Sequence, residues 1–251
     1  MGDDDFGRQL LAGLKARGVD VSFVAIDTEF PTGASTIFAG EGDYASIIVP
    51  GAASRLSERD IDCARLAIEA ADALVVQLEL PVAISDRAAT MAAAQGTEVI
   101  VNASPAPDEW SDIPQTLWQA ASVLIVNEVE AGRLLGHSPQ ADQLNAALAE
   151  LATRSGIETT VVTSGSDGIA ALTGGQVVRQ TAFSQEPVDT VGAGDAFLGV
   201  FSTARLQGLS VSEALRRGAA AGAMAISRRG VHDALPSHSE IDAFLARANS
   251  R

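Results

Sequence analysis

The chain has 251 residues, 47% of them hydrophobic, a formal net charge of −15 and a single cysteine. That length and apolar content suit one α/β domain with a substantial core, and the acidic balance argues against a nucleic-acid backbone or an anionic membrane surface as partner, since both reward basic patches. No stretch approaches the roughly 18 apolar residues of a membrane span, Met1 leads into acidic residues instead of a signal region, and one cysteine excludes an intrachain disulfide or a cysteine metal cage. The expectation is a soluble, cytoplasmic protein.

Residues 3 to 17 read as a capped helix, with acidic residues at its start, Phe6, Leu10, Leu11 and Leu14 on one apolar face and Gly18 at its end. A strand is expected near Val21 to Ile26. Segments 34 to 39 and 44 to 49 are short and β-like, joined by Gly40-Glu41-Gly42-Asp43, a hairpin signal. Apolar runs at 73 to 76, 98 to 101 and 123 to 126 then alternate with helical stretches at about 60 to 71, 82 to 95 and 128 to 135, the rhythm of βαβ units around a parallel sheet. Cys63, at helical spacing with Leu66 and Ala67, reads as a small buried thiol. Trp110 and Trp118 flank an acidic, proline-bearing connection and read as packing residues. A helix over 140 to 154 leads to a strand at 158 to 163, antiparallel strands at 168 to 173 and 176 to 182, and helices at 194 to 207, 211 to 227 and 238 to 248. His137, His232 and His238 have no metal-ligand spacing. The region around 30 to 50 is too poor in core residues for a domain and reads as an appendage.

The most informative stretch is Asp189-Thr190-Val191-Gly192-Ala193-Gly194-Asp195, followed by an apolar helix. Small residues at a helix start present unpaired amides to an anion, and Asp195 beside them could accept a proton from an attacking hydroxyl. The alternative is a tight turn with Asp195 as a simple cap. The third glycine of a dinucleotide fingerprint is missing, and the sole lysine, Lys15, lies far from any glycine-rich turn, which excludes a Walker A loop and disfavours Schiff-base chemistry. Asn127 and Glu130 lie three apart at a helix start, where they could organise Mg²⁺ through water or simply cap the helix. Thr163-Ser164-Gly165-Ser166-Asp167-Gly168 joins two strands and could meet a nucleotide or be an ordinary hairpin turn. Arg228 and Arg229 could face phosphate or form a solvated helix end.

Residues 189 to 195 resemble the DTxGAGD signature of the ribokinase-like carbohydrate kinases, the PfkB family. Gly2-Asp3-Asp4-Asp5-Phe6-Gly7 is similar to the family's GxDxFG helix start, and Gln77-Leu78-Glu79 to its segment carrying a sugar-contacting glutamate. Asn102-Ala103-Ser104-Pro105-Ala106-Pro107 resembles the NPAP turn with one inserted residue, Asn127 to Glu130 the NxxE motif, and Thr163 to Gly168 the nucleotide-binding turn. The resemblance spans the chain and is strongest to the ribokinase branch. It implies a three-layer α/β fold, with a mostly parallel central sheet flanked by helices and a partial β lid at about 30 to 50. It also implies ATP- and Mg²⁺-dependent phosphorylation of a sugar's primary hydroxyl, ribose first among candidates.

In that reading Asp195 is the general base, and Gly192, Ala193 and Gly194 supply the anion hole. Glu79 and Asp195 contact the sugar. Asn127, Gly194 and Thr163, Ser164, Gly165, Ser166, Asp167 and Gly168 meet the nucleotide, and Glu130 and Asn127 meet Mg²⁺ through water. Asp189, Val191, Ala225, Arg228 and Gly230 correspond to a monovalent-cation (K⁺) site, in which the family's serine ligand is replaced by Ala234; a nucleotide-contacting asparagine is replaced by Ala219. A homodimer through the lid is also implied. The family begins with a core strand, lid strands and a GGKGxN motif, none of which precedes Met1 in this sequence, so the chain reads as an N-terminally truncated single domain. Three readings stand: a ribose kinase, a kinase for another sugar, sugar acid or nucleoside, and a non-catalytic nucleotide-binding protein with a regulatory role.

Overall fold

The computed structural model describes residues 1–40, 43–139 and 143–248. In chain order the elements are α1 (Asp5–Ala16), β1 (Ala34–Gly40), β2 (Asp43–Val49), α2 (Glu58–Glu69), β3 (Ala73–Gln77), α3 (Val82–Ala93), β4 (Glu98–Asn102), α4 (Gln115–Ala120), β5 (Val123–Asn127), α5 (Glu128–Leu135), α6 (Leu144–Ser155), β6 (Thr159–Thr163), β7 (Ile169–Thr173), β8 (Gln176–Gln180), α7 (Ala193–Leu206), α8 (Val211–Ile226) and α9 (His238–Ala248). Glu41 and Gly42 of the expected hairpin turn, and the start of the helix expected from 140, lie outside the described residues.

The main sheet has the order β3-β4-β5-β6-β7-β8. Its first four strands are parallel and its last two antiparallel. The central strands are short runs of valine, isoleucine and leucine because helices cover both faces. Side chains alternate along each strand. Val99, Val101, Leu124 and Val126 enter one core with Trp118 of α4, Leu134 of α5 and Leu148 and Leu151 of α6. Ile100, Val123, Ile125 and Val161 enter the other with Phe197 and Phe201 of α7 and Leu215 of α8. α7 and α8 pack closely because Gly218 leaves room for the Phe197 ring, which a Cβ at Gly218 would approach to 2.6 Å. α9 closes the outer side of this pair through Ile241 and Leu245.

The direction of α7 decides where the chemistry can sit. Arg205 in its last turn donates to Glu98, the first residue of β4, at 3.0 Å. α7 therefore runs back along the sheet, and its first turn, Gly192 to Asp195, lies toward the carboxyl ends of the parallel strands, where open α/β sheets bind ligands.

An arm built from α1 and the β1–β2 ribbon precedes this body. β1 and β2 pair antiparallel from Ala34↔Val49 to Gly40↔Asp43. The GDDDFG segment is the joint. Asp4 caps α1 by accepting the Gly7 amide at 2.8 Å, and its two oxygens also accept the amide and hydroxyl of Thr32, each at 2.7 Å. Gly2 is required because a Cβ there would overlap the backbone of the crossing 30–32 segment, and Gly7 because a Cβ there would overlap the Gly2 carbonyl and the Thr32 hydroxyl.

Three expectations need correction. Residues 21–26 form no strand: Val24 turns back onto the Val21 carbonyl, and the only bridge nearby among the described residues joins Gly2 to Asp27. Without a neighbour to complete its ladder, an extended segment does not count as a strand. The apolar face of α1 is not core, since Phe6 is 65% exposed and only Gly7 is buried; the helix docks through its N-terminal cap instead of lying on the main sheet. Cys63 is exposed, because α2 buries Ile61 against α3 and turns Cys63 and Leu66 outward. α4, absent from the sequence reading, brings Trp118 beneath the sheet, where it stacks on Trp110 with ring centroids 4.7 Å apart.

Candidate active site

Gly192 is the N-cap of α7 and adopts φ 83°, a left-handed conformation that only glycine takes cheaply. The turn returns the Ala193 amide to the Thr190 carbonyl at 3.4 Å. Among the described residues, the amides of Gly192, Gly194 and Asp195 donate to no protein acceptor, and the space around Gly194 is open. This is the unsatisfied start of a 14-residue helix, whose dipole adds to its attraction for an anion. Asp195 does not cap the helix: no side-chain cap bond forms there. Its carboxylate reaches solvent at the surface, yet surrounding protein desolvates it enough to push its pKa upward, with no hydrogen bond or cation opposing the shift.

A second group forms around the ends of β4, β5 and β6. Asn127 and Glu130 make a reciprocal capping box: the Asn127 side chain accepts the Glu130 amide and Glu130 accepts the Asn127 amide, both at 2.8 Å. Glu130 is buried, and that desolvation raises its pKa; the Asn127 amide, a hydrogen bond from Ser104 and the Arg133 charge pull in the opposite direction. Asn127 pairs in register with Thr163, so the NxxE motif and the Thr163–Gly168 turn are neighbours. The turn needs Gly165 and Gly168, at φ 45° and 95°, to reverse the chain. Glu79 follows β3 in an exposed bend, and the adjacent Leu78 amide donates to the Ser104 carbonyl at 3.1 Å. Ser104 thus joins the Glu79 bend to Glu130. It sits inside the NPAP-like segment, but only the fold reveals its partners.

The third group ties the 189–192 turn to the loop after α8. The Ile226 carbonyl accepts the amides of Val188 and Asp189 at 2.7 and 3.1 Å. The Asp189 carboxylate accepts Val191 N–H at 3.1 Å and Gly230 N–H at 3.4 Å. Asp189, Val191 and the Ala225–Gly230 segment are therefore together, while Ala234 is buried and offers no side-chain oxygen. Arg228 is paired with Glu240 of α9 at 2.7 Å, so it is not a free helix end.

Two concavities, of about 440 and 500 Å³, flank Arg133 on the α5 side of the sheet. Neither is lined by residues 189–195. The glycine turn, lying outside both, combines free amides with a carboxylate that no described residue pairs.

The family model for pfkB family carbohydrate kinases matches residues 1–238. The chain belongs to that family, and its members are phosphotransferases acting on carbohydrates. It is 30% identical to a ribokinase of Haemophilus influenzae over 99% of this chain and 80% of that protein, and 29% identical to a deoxyribokinase of Salmonella typhimurium over 98% of this chain and 80% of that protein. Among solved structures, Arabidopsis thaliana ribokinase complexed with ribose and ATP superposes with a TM-score of 0.86 at 27% identity, covering 98% of this chain and 80% of that one.

Proposed function

We propose that this chain transfers the γ-phosphoryl group of ATP to the primary hydroxyl of ribose, giving ribose 5-phosphate and ADP. The observation that carries the reading is the pairing of unsatisfied amides at Gly192, Gly194 and Asp195 with a carboxylate that has no partner among the described residues. As the sugar oxygen bonds to phosphorus and the bond to the ADP oxygen breaks, the hydroxyl proton passes to Asp195. The amides at the start of α7 meet the charge spread over the transferring group. Glu79 in its exposed bend is the reading's sugar contact, the Thr163–Gly168 turn and Asn127 its nucleotide contacts, and the β1–β2 ribbon a partial lid.

The residues fit a Mg²⁺ ion that arrives with the nucleotide. Both Asn127 and Glu130 are engaged in the capping box, and no group of three acidic, histidine or cysteine side chains placed to hold a metal ion exists among the described residues, so these two would hold the ion through water. Bound there, Mg²⁺ would neutralise charge on the phosphates. A potassium site is fitted less well: the Ala225 carbonyl already accepts the Arg228 amide, and Ala234 supplies no ligand. Weak stimulation by K⁺ is expected. A lid-mediated homodimer completes the reading, supported by Ile47, Ile48 and Val49, which lie exposed on β2.

Similarity to a deoxyribokinase almost equal to that with a ribokinase favours 2-deoxyribose as the second substrate to try. The test is ADP release from ATP and Mg²⁺ with ribose, deoxyribose or no sugar, for the wild type and Asp195→Asn. Sugar-dependent release abolished by Asp195→Asn is expected. Release that survives the substitution would remove Asp195 from its role, and none with any sugar would favour a nucleotide-binding protein without catalysis.

A further inference from the structure

Val231 belongs to no motif in the sequence, yet it touches the backbone position on which the candidate site turns. A Cβ placed on Gly192 would stand 2.9 Å from Val231 Cγ1, so the isopropyl group packs directly over the glycine's Cα. Gly192 has the widest conformational choice of any residue type, and apart from a long Ala193–Thr190 turn bond at 3.4 Å and the helix bond from Ala196 to its carbonyl, no side chain of its own holds φ at 83°. A β-branched side chain is suited to fixing it, because valine is stiff about χ1.

The loop that carries Val231 is itself fastened on both sides. The Ile226 carbonyl takes the amides of Val188 and Asp189. The Asp189 carboxylate spans from the Val191 amide to the Gly230 amide. Arg228 anchors the loop to Glu240 of α9. The turn and the loop are thereby clamped at residues 188–191 and 226–230, and Val231 is the first side chain beyond the clamp, lying against the first glycine of the helix start. With 39% of its surface exposed, it contributes little to any core.

We propose that Val231 is a positioning residue for phosphoryl transfer: it holds Gly192 in the left-handed conformation that aims the amides of Gly192, Gly194 and Asp195 at one anion. This rests on the kinase reading above and adds a residue to it. A small misplacement of such donors is costly in rate, whereas substrate binding elsewhere is untouched.

Val231→Ala should lower kcat about tenfold with the KM for sugar unchanged, and Val231→Ile should restore it, since it keeps the branch that meets Gly192. Independently of turnover, hydrogen exchange at the bonded amides of Val191, Ala193 and Ala196 should accelerate by about threefold or more in Val231→Ala while α8 keeps its protection. Unchanged kcat, or a loss that Val231→Ile shares, would overturn the assignment. If the wild type shows no sugar-dependent ADP release, the kinase reading fails by itself and exchange decides: unaltered protection at Val191, Ala193 and Ala196 then removes Val231 as the residue that holds the turn.

Discussion

Asp195 and Glu130 are both carboxylates with raised pKa values, and their surroundings separate their roles. Asp195 is desolvated without any compensating hydrogen bond, so its ionised form is held at a cost and is basic for an aspartate. Because the native pKa lies above the ordinary 3.8, the fold favours protonated Asp195; its contribution to stability is greatest at low pH and declines as pH rises through the native value. Two outcomes follow. The acid limb of kcat should lie above pH 3.8, and Asp195→Asn, which removes the desolvated charge, should melt no lower than the wild type at neutral pH while losing about 10²-fold or more in turnover. A clear drop in Tm would mean that Asp195 supports the fold. Glu130 instead has the Asn127 amide to hold. Glutamine can accept the same bond, so Glu130→Gln should keep the wild-type Tm while raising the Mg²⁺ concentration needed for half-maximal turnover. Glu130→Ala should lose about 1 kcal/mol of stability as well. Equal Mg²⁺ dependence in wild type and Glu130→Gln would reduce Glu130 to a cap.

At the scale of elements, the most legible parts were those whose periodicity is sustained by neighbours close in sequence. The alternation of β3 to β6 with α3, α5 and α6 is a run of βαβ units, each consistent with the next, and the glycine turn with its helix is local enough to read directly. What could not be read depends on distant partners. The apolar stripe of α1 has helical spacing but no sheet beneath it. Residues 21–26 have strand composition but no ladder. Val231 meets Gly192 from 39 residues further along the chain, and nothing local marks it. The GDDDFG segment was legible as a helix start, but its link to Thr32 was not. That link is open to test, because Asp4 accepts three hydrogen bonds that hold its pKa down to about 2. A depressed native pKa contributes stability that is complete above the ordinary 3.8 and is lost as pH falls toward about 2. The Gly7 amide resonance should therefore titrate below pH 3.8. At neutral pH, Asp4→Ala should loosen the joint and speed trypsin cleavage after Arg17, with the main sheet resistant. Cleavage no faster than in the wild type would show that the glycine crossing holds the joint without Asp4.

Over the whole molecule, the arm and the body differ in how well they cover their apolar surface. The chain exposes 13574 Å², against about 10,500 Å² for a compact monomer of this size. Much of the apolar part lies on the arm, at Phe6, Phe23 and Ile26 and at Ile47, Ile48 and Val49 of the ribbon. A two-stranded ribbon is marginal by itself and offers free edges to another strand, and contiguous exposed apolar surface marks an interaction site. A second copy meeting the first along β2 would cover residues 47–49 on both chains. In that arrangement one charge beside the shared β2 edge suffices to separate the copies. Sedimentation velocity should give a dimer for the wild type and a monomer for Ile48→Asp with unchanged circular dichroism, because Ile48 is 54% exposed and buries little within its own chain. A wild type that stays monomeric at tens of micromolar, or an Ile48→Asp variant that remains dimeric, would move the interface away from the ribbon.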